Sequence, residues 1–230
     1  MLIGLALVGT SSFARADATY QPLAIGPFTQ NWTNTGVITV NDDWFGVPGI
    51  VGFRGDNLTI ATGADPQTAT AEDVPGVVDV NINQTAPNTF ATGGVAEFEL
   101  TDPVVALTGS GTADAPYLQI HLDTTGVTSI VVQYNLRDLD GSADNAIQPV
   151  ALQYRVGTSG VFTNVPVAFV ADATEGPSLA SKVTAVSATL PATAEGQSQI
   201  QLRILTTNAA GNDDGWVSMT STSRAPCPPT

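Results

Sequence analysis

The sequence predicts an all-β protein, built as a single antiparallel β-sandwich domain. Residues 118–122, 130–136 and 150–156 each alternate between two sets of side chains, one of them strongly apolar. A period of two residues is typical of a strand that buries one face. Gly, Thr, Val, Ala, Asn and Asp dominate the composition, and no heptad-like run of helix-forming residues occurs. Such a composition favours short strands joined by many turns.

The alternation assigns a buried and an exposed face to each of these strands. The residues predicted to face the core are Leu118, Ile120, Leu122, Ile130, Val132, Tyr134, Leu136, Val150, Leu152, Tyr154 and Val156. Those predicted to face outward are Gln119, His121, Val131, Gln133, Asn135, Ala151, Gln153 and Arg155. Residues 200–204 alternate in the same way and predict a further strand.

The remaining strands are predicted to be short, because Pro, Gly, Asn and Asp interrupt the apolar runs at close intervals. They are placed at 36–40, 50–53, 77–82, 95–100, 104–107 and 183–190, with a hairpin turn at 157–162 and a loop at 168–181. No boundary is evident inside the chain. One β-sandwich domain is therefore predicted at 20–217.

The N-terminus predicts an exported protein. Residues 1–8 form an apolar run of signal-peptide length, and Ala14-Arg15-Ala16 offers the small-x-small pattern of a signal peptidase site. We expect a signal peptide at 1–16, cleaved before Asp17, although a positively charged leading segment is missing. The alternative is a buried N-terminal strand. The apolar run is too short to span a membrane.

The net charge of the chain limits the classes of partner that it is expected to bind. The chain has 21 acidic and 7 basic residues, a formal net charge of −14. Such a surface repels phosphates, so no direct nucleic-acid binding is expected. The acidity either serves solubility outside the cell or attracts divalent cations. The single cysteine, Cys227, excludes a disulfide framework within the chain.

An acidic turn between the second and third strands is the candidate metal site. Asp138, Asp140, Asp144 and Asn145 lie within eight residues around Gly141. Oxygen ligands at this density predict a structural Ca²⁺ site, although the distal glutamate of an EF-hand is missing. In the alternative interpretation, the Asp side chains cap their own backbone.

Catalytic residues are not predicted. His121 is the only histidine and is expected to be solvated, and no serine lies in a Gly-x-Ser-x-Gly elbow. Glu97 and Glu99 are expected to be two solvated carboxylates rather than a glycosidase pair. Trp32 and Trp44 either plug one end of the sandwich or belong to a shallow platform that binds carbohydrate.

Several segments together resemble a known module. They are IGPFTQNW (25–32), ITVNDDW (38–44), GTADAPYL (111–118), NLRDLDGSADN (135–145), PVALQYRVG (149–157) and TTN (206–208). They resemble a jelly-roll accessory module of large secreted bacterial proteins, including the N-terminal region of ExeM/NucH-type extracellular nucleases. The resemblance covers about residues 24–217 and implies a jelly-roll-like sandwich, while catalysis in such proteins belongs to another region.

The end of the chain departs from this resemblance. The module's final strand reads Trp-Val-Gly-Val-Asp-Asp-Ile, whereas residues 215–224 read Gly-Trp-Val-Ser-Met-Thr-Ser-Thr-Ser-Arg. With permitted codons, the same nucleotides read one base earlier encode Trp-Val-Gly-Val-Asp-Asp-Ile-Asn-Val-Thr. We therefore expect a frameshift near 213–214 and an unstructured, out-of-frame tail at 218–230.

Together these observations predict a non-catalytic accessory or binding module, secreted or at the cell surface, and stabilised by calcium. Its expected partners are neighbouring domains of a larger parent protein, or a cell-surface glycan or protein. One alternative is the N-terminal fragment of an extracellular nuclease or phosphoesterase whose catalytic domain is missing. A further alternative is a carbohydrate-binding module.

Overall fold

The computed structural model describes residues 15–58, 60–141, 146–174, 182–210 and 217–224, and within these ranges it contains thirteen strands. They are β1 (Gln21–Pro22), β2 (Phe28–Gln30), β3 (Ile50–Phe53), β4 (Asn81–Gln84), β5 (Gly94–Phe98), β6 (Val104–Thr108), β7 (Tyr117–Asp123), β8 (Val131–Asp138), β9 (Val150–Val156), β10 (Thr163–Asn164), β11 (Val183–Thr189), β12 (Ile200–Thr206) and β13 (Val217–Arg224). Short 3₁₀ turns lie at Leu23–Ile25, Thr35–Val37, Pro66–Thr68, Pro87–Thr89, Pro166–Ala168 and Ala192–Ala194.

The strands form two sheets, and the predicted all-β sandwich is confirmed. One sheet has the order β1-β7-β12-β9-β10, with β3 also paired to β7. The other has the order β11-β8-β13-β6-β5-β4, with β2 also paired to β13. Pairing is antiparallel except for β1 with β7 and β4 with β5. Non-consecutive neighbours such as β7, β12 and β9 show the crossing connections of a jelly-roll-like architecture.

The core lies between the sheets and is formed by the apolar sets that the alternation predicts. Leu118, Ile120 and Leu122 of β7 pack in one cluster with Leu136 of β8 and Leu152 of β9. In β8, burial alternates residue by residue, and Gln133 and Asn135 are exposed as predicted. Val156 is an exception, because it is the last residue of β9 and is 45% exposed.

The polar faces of β7, β9 and β12 are also buried, which corrects the prediction that they face solvent. Residues 66–72 cross this face, and their carbonyl oxygens accept hydrogen bonds from its side chains. Gln153 Nε2 donates to the Pro66 oxygen at 3.4 Å, and Arg203 Nη1 donates to the Ala71 oxygen at 3.1 Å. Arg155 Nη1 lies 3.0 Å from Glu72 Oε1. A segment distant in sequence thus covers a face that periodicity alone assigns to water.

Several shorter elements differ from the prediction. The strand expected at 36–40 is absent; a 3₁₀ turn lies at Thr35–Val37, where the Asn34 side chain accepts a hydrogen bond from Gly36 N. The strand expected at 77–82 begins only at Asn81. The strands expected at 50–53, 95–100, 104–107, 183–190 and 200–204 are present within two residues of their expected bounds. The hairpin expected at 157–162 joins β9 to β10, which pair antiparallel.

The C-terminal region also requires a correction. Residues 217–224 form β13, which pairs with β8 and β6 in the interior of its sheet. The prediction of an unstructured tail from residue 218 is therefore wrong for 218–224, while 225–230 lie outside the described residues.

At the N-terminus, residues 1–14 of the predicted signal peptide lie outside the described residues. Arg15 is described and lies against the domain. Its carbonyl oxygen accepts a hydrogen bond from Trp44 N at 2.7 Å, and its guanidinium lies 3.9 Å from the centre of the Phe45 ring. Cleavage before Asp17 stays a prediction. No helix in the described part of the chain is long and apolar enough to span a membrane.

Candidate functional site

An open, polar cleft of about 270 Å³ lies where several turns meet the ends of β3, β4 and β5. Its lining is formed by carboxylate, guanidinium, amide and hydroxyl side chains together with one glycine. The lining residues are Asn41, Asp42, Arg54, Asp79, Asn81, Thr92, Gly93 and Thr112. Seven of these eight residues therefore present a polar side chain.

Asp79 is the buried anchor of the cleft and is only 5% exposed. Its Oδ2 accepts a hydrogen bond from Val95 N at 2.7 Å, and its Oδ1 lies 3.5 Å from Arg54 Nη2. Burial raises the pKa of the Asp79 carboxyl above its usual value, opposed by the Val95 hydrogen bond and the Arg54 charge and reinforced by Asp42. The guanidinium of Arg54 thus lies beside a buried carboxylate that is anchored by Val95 N.

Three other lining side chains are fixed at one end by the backbone. Asp42 Oδ1 accepts from Val80 N at 3.1 Å, and Asn41 Oδ1 accepts from Ile82 N at 3.1 Å. Asn81 Nδ2 donates to the Val95 carbonyl at 3.0 Å. Each of these groups carries a second polar atom for which the described residues supply no partner. A ligand in the cleft would therefore meet oriented donors and acceptors that cost little entropy to fix.

The core supports the cleft from below through Trp44, which is fully buried. Trp44 Nε1 donates to the Asp79 carbonyl at 3.1 Å, and its ring contacts Trp32 edge-on at a centroid distance of 6.3 Å. Trp32 is 4% exposed. The prediction that these tryptophans plug the sandwich is therefore confirmed, and the alternative of an exposed carbohydrate platform built on their rings is wrong.

Replacing Gly52 with alanine is expected to lower the free energy of unfolding by about 1–3 kcal/mol. An added Cβ would overlap Cζ2 of Trp44 and lie 2.8 Å from the Asp79 carbonyl oxygen. Urea denaturation measures the change. Gly111→Ala is the matched control, since an added Cβ there meets no atom within 4 Å. Equal stability of the two variants would contradict the tight packing beneath the cleft.

Of the predicted calcium ligands, the structure describes Asp138 and Asp140, while Asp144 and Asn145 lie outside the described residues. Asp138 ends β8 and is 3% exposed, and its Oδ1 accepts a hydrogen bond from Asp140 N at 3.0 Å. That bond is the one expected if the turn caps its own backbone. Burial raises the pKa of the Asp138 carboxyl to about 6, opposed by the hydrogen bond from Asp140 N and by Lys182, and reinforced by the charges of Asp140 and Asp172.

Asp138 and Asp140 supply the negative charge that a cation needs, but they supply only part of a complete set of ligands. Buried carboxylates that repel one another are stabilised by a neighbouring positive charge. Within the described ranges, however, no three acidic, histidine or cysteine side chains converge as a metal set. A complete calcium site at this turn therefore depends on Asp144 and Asn145.

His121 is buried at 2% exposure, so the prediction of a solvated surface histidine is wrong. Its ring contacts Tyr20 edge-on at 5.2 Å, and its Nε2 lies 3.0 Å from Gln119 Nε2. Burial lowers the pKa of His121 to about 4, and the Arg155 charge acts in the same direction. The imidazole is therefore neutral near neutral pH. The residues whose contacts with it are described include no serine, threonine or cysteine.

Glu97 is likewise buried, at 4% exposure, whereas Glu99 is exposed as predicted. Glu97 Oε2 accepts a hydrogen bond from Asn83 N at 2.8 Å, and burial raises the pKa of its carboxyl. The prediction that both carboxylates are solvated is therefore wrong for Glu97. Its position on β5 packs it against the sandwich instead.

The cleft could not be predicted from sequence patterns, because its residues come from five separate segments. The only local signal was the polar turn Asn41-Asp42-Asp43, which follows an apolar run. Asp42 has a positive φ of 60°, a conformation that Asp and Asn adopt more readily than most residues. That turn directs two lining residues towards the edge of β4.

No family model and no curated protein matches the sequence. Among solved structures, the chain is similar to a cyclase from Fischerella sp. TAU, with 12% identity, coverage of 89% of this chain and 100% of that chain, and a TM-score of 0.45. It is also similar to a xylan-binding domain from Paenibacillus barcinonensis, with 15% identity, 62% and 88% coverage, and a TM-score of 0.37. The CBM27-1 module of Caldicellulosiruptor saccharolyticus in complex with mannohexaose has 11% identity, 62% and 90% coverage, and a TM-score of 0.37. Similarities of this size assign neither a ligand nor an activity to the chain.

Proposed function

We propose that the chain is a non-catalytic binding module of an exported protein, and that its polar cleft holds a polyhydroxylated ligand such as a glycan. The observation that carries the proposal is the cleft itself. Asn41, Asp42 and Asn81 are each fixed by one polar atom and keep the other for a ligand. Arg54 is held in place beside Asp79.

The chemistry of these groups matches hydroxyl groups better than it matches a single ion. Each sugar hydroxyl donates one hydrogen bond and accepts others, so it pairs with a lining that offers both roles. The guanidinium of Arg54 and the amide of Asn41 donate, while carboxylate and amide oxygens accept. An isolated anion would be repelled by Asp42 and Asp79, and an isolated cation would leave the donors of Arg54 and Asn41 without an acceptor.

Arg54→Gln is expected to weaken ligand binding by about tenfold or more, because it removes a charged donor from the cleft. The ligand is first found on a glycan panel, with calorimetry or the fluorescence of Trp44 beneath the cleft as the measurement. Arg137→Gln is the matched control, since Arg137 pairs with the exposed Asp102 on another surface.

The two variants together decide the proposal. Equal affinities in folded samples would show that ligand binds elsewhere, and a panel without any binding would contradict the proposed function. Thermal melting of each variant establishes that it is folded.

We propose, in addition, that calcium stabilises the domain through Asp138, Asp140, Asp144 and Asn145. The buried Asp138 carboxyl beside Asp140 supports the proposal, because a bound cation would offset their repulsion. Millimolar calcium is expected to raise Tm by about 5 °C relative to chelator. Asp140→Asn should reduce that rise, and Glu99→Gln, at an exposed position, should not. An unchanged Tm in the wild type would remove the calcium proposal.

We also propose that the module belongs to a larger secreted parent, and that a frameshift near 213–214 altered its last strand. Position 221 of β13 pairs with Tyr134, and position 223 pairs with Val132, both core residues of β8. The restored reading frame places Ile and Val at these two positions, where the present sequence has serine. Sequencing the gene across these codons tests the frameshift.

The alternative of a nuclease fragment predicts a different result. In that case, the chain is part of a hydrolase whose catalytic region is missing, and its parent cleaves nucleic acid. Hydrolysis of DNA by the purified chain with Mg²⁺ or Ca²⁺, above a boiled control, would contradict a non-catalytic role.

A further inference from the structure

We infer that the cleft selects a single sugar ring by charge, in the order amino sugar, neutral sugar, uronic acid. This inference deepens the proposed function and rests on it. Two properties of the cleft carry it: the balance of charges in its lining, and its size together with the absence of an aromatic surface.

The charge balance of the lining is negative. Two carboxylates, Asp42 and Asp79, face one guanidinium, that of Arg54. Arg54 Nη2 lies 3.5 Å from Asp79 Oδ1, so the only guanidinium in the lining is already paired with a carboxylate. An acidic sugar would need that guanidinium as its own partner. Asp42 Oδ1 is bound by Val80 N, which leaves the second oxygen of a charged carboxylate for the ligand. The lining therefore attracts an ammonium group and repels a carboxylate.

The charge of the whole chain acts in the same direction. A formal net charge of −14 gives the protein as a whole a negative charge, which attracts cations and repels anions. Because the cleft is in contact with solvent, this preference is expected to weaken with salt as the Debye length falls. Salt dependence thus distinguishes selection by charge from selection by shape.

The size of the cleft limits the ligand. Pockets that hold drug-sized ligands usually have volumes of about 300–1,000 Å³, and this cleft has about 270 Å³. None of its eight lining residues is aromatic, so there is no ring in the lining on which sugar faces of a longer chain would stack. A cleft of this volume, which offers only hydrogen bonds, therefore holds a single sugar ring. That ring is either a free sugar or the terminal residue of a glycan.

The expected affinity for one ring is low. A methyl glycoside has about 13 non-hydrogen atoms, and a ligand of this size is expected to bind with a Kd of about 1 mM. Chemical-shift titration of the full chain measures this range. The probes are methyl glucoside, methyl glucosaminide and methyl glucuronide, which share one ring and differ in charge.

Asp42→Asn tests the origin of the selection. Asparagine keeps an oxygen for Val80 N, tolerates the positive φ of Asp42, and removes one negative charge. Affinity for the amino sugar should fall by about threefold to fivefold, and affinity for the uronide should rise, because exposed charge pairs contribute up to about a factor of five. Asp43→Asn makes the same charge change one residue away, outside the lining, and should alter neither affinity by more than about twofold.

The outcomes separate the inference from the proposed function. Amino-sugar preference that is lost in Asp42→Asn and kept in Asp43→Asn supports the inference. Preference for the uronide, or an order unchanged by Asp42→Asn, overturns the inference while leaving a glycan site in place. Binding of none of the three glycosides, together with an empty glycan panel, overturns both.

Discussion

Replacing Arg203 with alanine is expected to lower the free energy of unfolding by about 3–5 kcal/mol, because it removes a buried charge from a network that depends on it. Arg203 lies on the polar face of β12 and is fully buried. Its Nε donates to Gln153 Oε1 at 2.9 Å, and its Nη1 donates to the Ala71 carbonyl at 3.1 Å. Its Nη2 also donates to the carbonyl of Ala69. All these acceptors lie in residues 66–72, which cover this face, or directly beneath them.

Aromatic contacts add to the expected loss. The guanidinium of Arg203 lies 4.0 Å from the centre of the Phe162 ring, and that of Arg155 lies 4.5 Å from the same ring. A desolvated guanidinium on an aromatic ring contributes up to about 2 kcal/mol. Alanine would leave the buried carbonyl oxygen of Ala69 without its donor, would remove the hydrogen bond to Ala71, and would open a cavity beside Phe162.

Two further variants test this explanation by chemical denaturation. Arg203→Lys keeps the charge and loses the planar fork, so it should recover only part of the stability. Arg137→Ala, which removes the ion pair with the exposed Asp102, should cost about 1 kcal/mol or less. Equal losses for Arg203→Ala and Arg137→Ala would contradict the role assigned to the buried network.

The same network shows what sequence periodicity can and cannot predict. For β8, alternation predicted both faces correctly, because nothing in the described residues covers Gln133 and Asn135. For β7, β9 and β12, it predicted the core face correctly except at Val156, and it predicted the polar face wrongly. Covering that face requires contacts between residues 83 to 134 positions apart, such as Ala71 with Arg203. A period of two contains no information about such contacts.

The candidate site was missed for a related reason. Asp138 and Asp140 are neighbours in sequence and were found from spacing alone. Asp42 and Asp79 are separated by 37 positions and meet only because the Asn41–Asp42 turn binds the edge of β4. Closely spaced ligating residues in the sequence therefore indicate the acidic turn. The residues of the cleft are far apart in the sequence and produce no such signal. The prediction that His121 is solvated followed from the prediction that its whole strand face is exposed. That face is buried, and His121 is buried with it.

His121 and Asp138 are expected to give opposite pH dependences of stability between pH 4 and 6.5. Burial lowers the pKa of His121 from 6.5 to about 4, so in this window the unfolded chain holds a proton that the folded chain has lost. Stability from this group is present above pH 6.5 and is lost as the pH falls towards 4. A shift of this size corresponds to about 3 kcal/mol.

Asp138 acts in the other direction. Burial raises its pKa from 3.8 to about 6, so the folded chain holds a proton that the unfolded chain has released. Its contribution is present below pH 3.8 and is lost as the pH rises through 6, by about 1–3 kcal/mol. Asp73, Asp79 and Glu97, whose pKa values burial also raises, add to the same trend.

The two effects are separated by comparing variants in chelator, so that calcium does not contribute. His121→Gln removes the term that rises with pH, so its stability should fall from pH 4 to 6.5 more steeply than that of the wild type. Asp138→Asn keeps an oxygen for Asp140 N and removes a contribution that falls with pH, so its stability should fall less steeply than that of the wild type over the same range. The readout is the slope of the free energy of unfolding against pH, which a uniform loss of packing does not change. Parallel slopes for wild type and both variants would show that neither group is shifted by burial, and that the polar face of β7 is open to water.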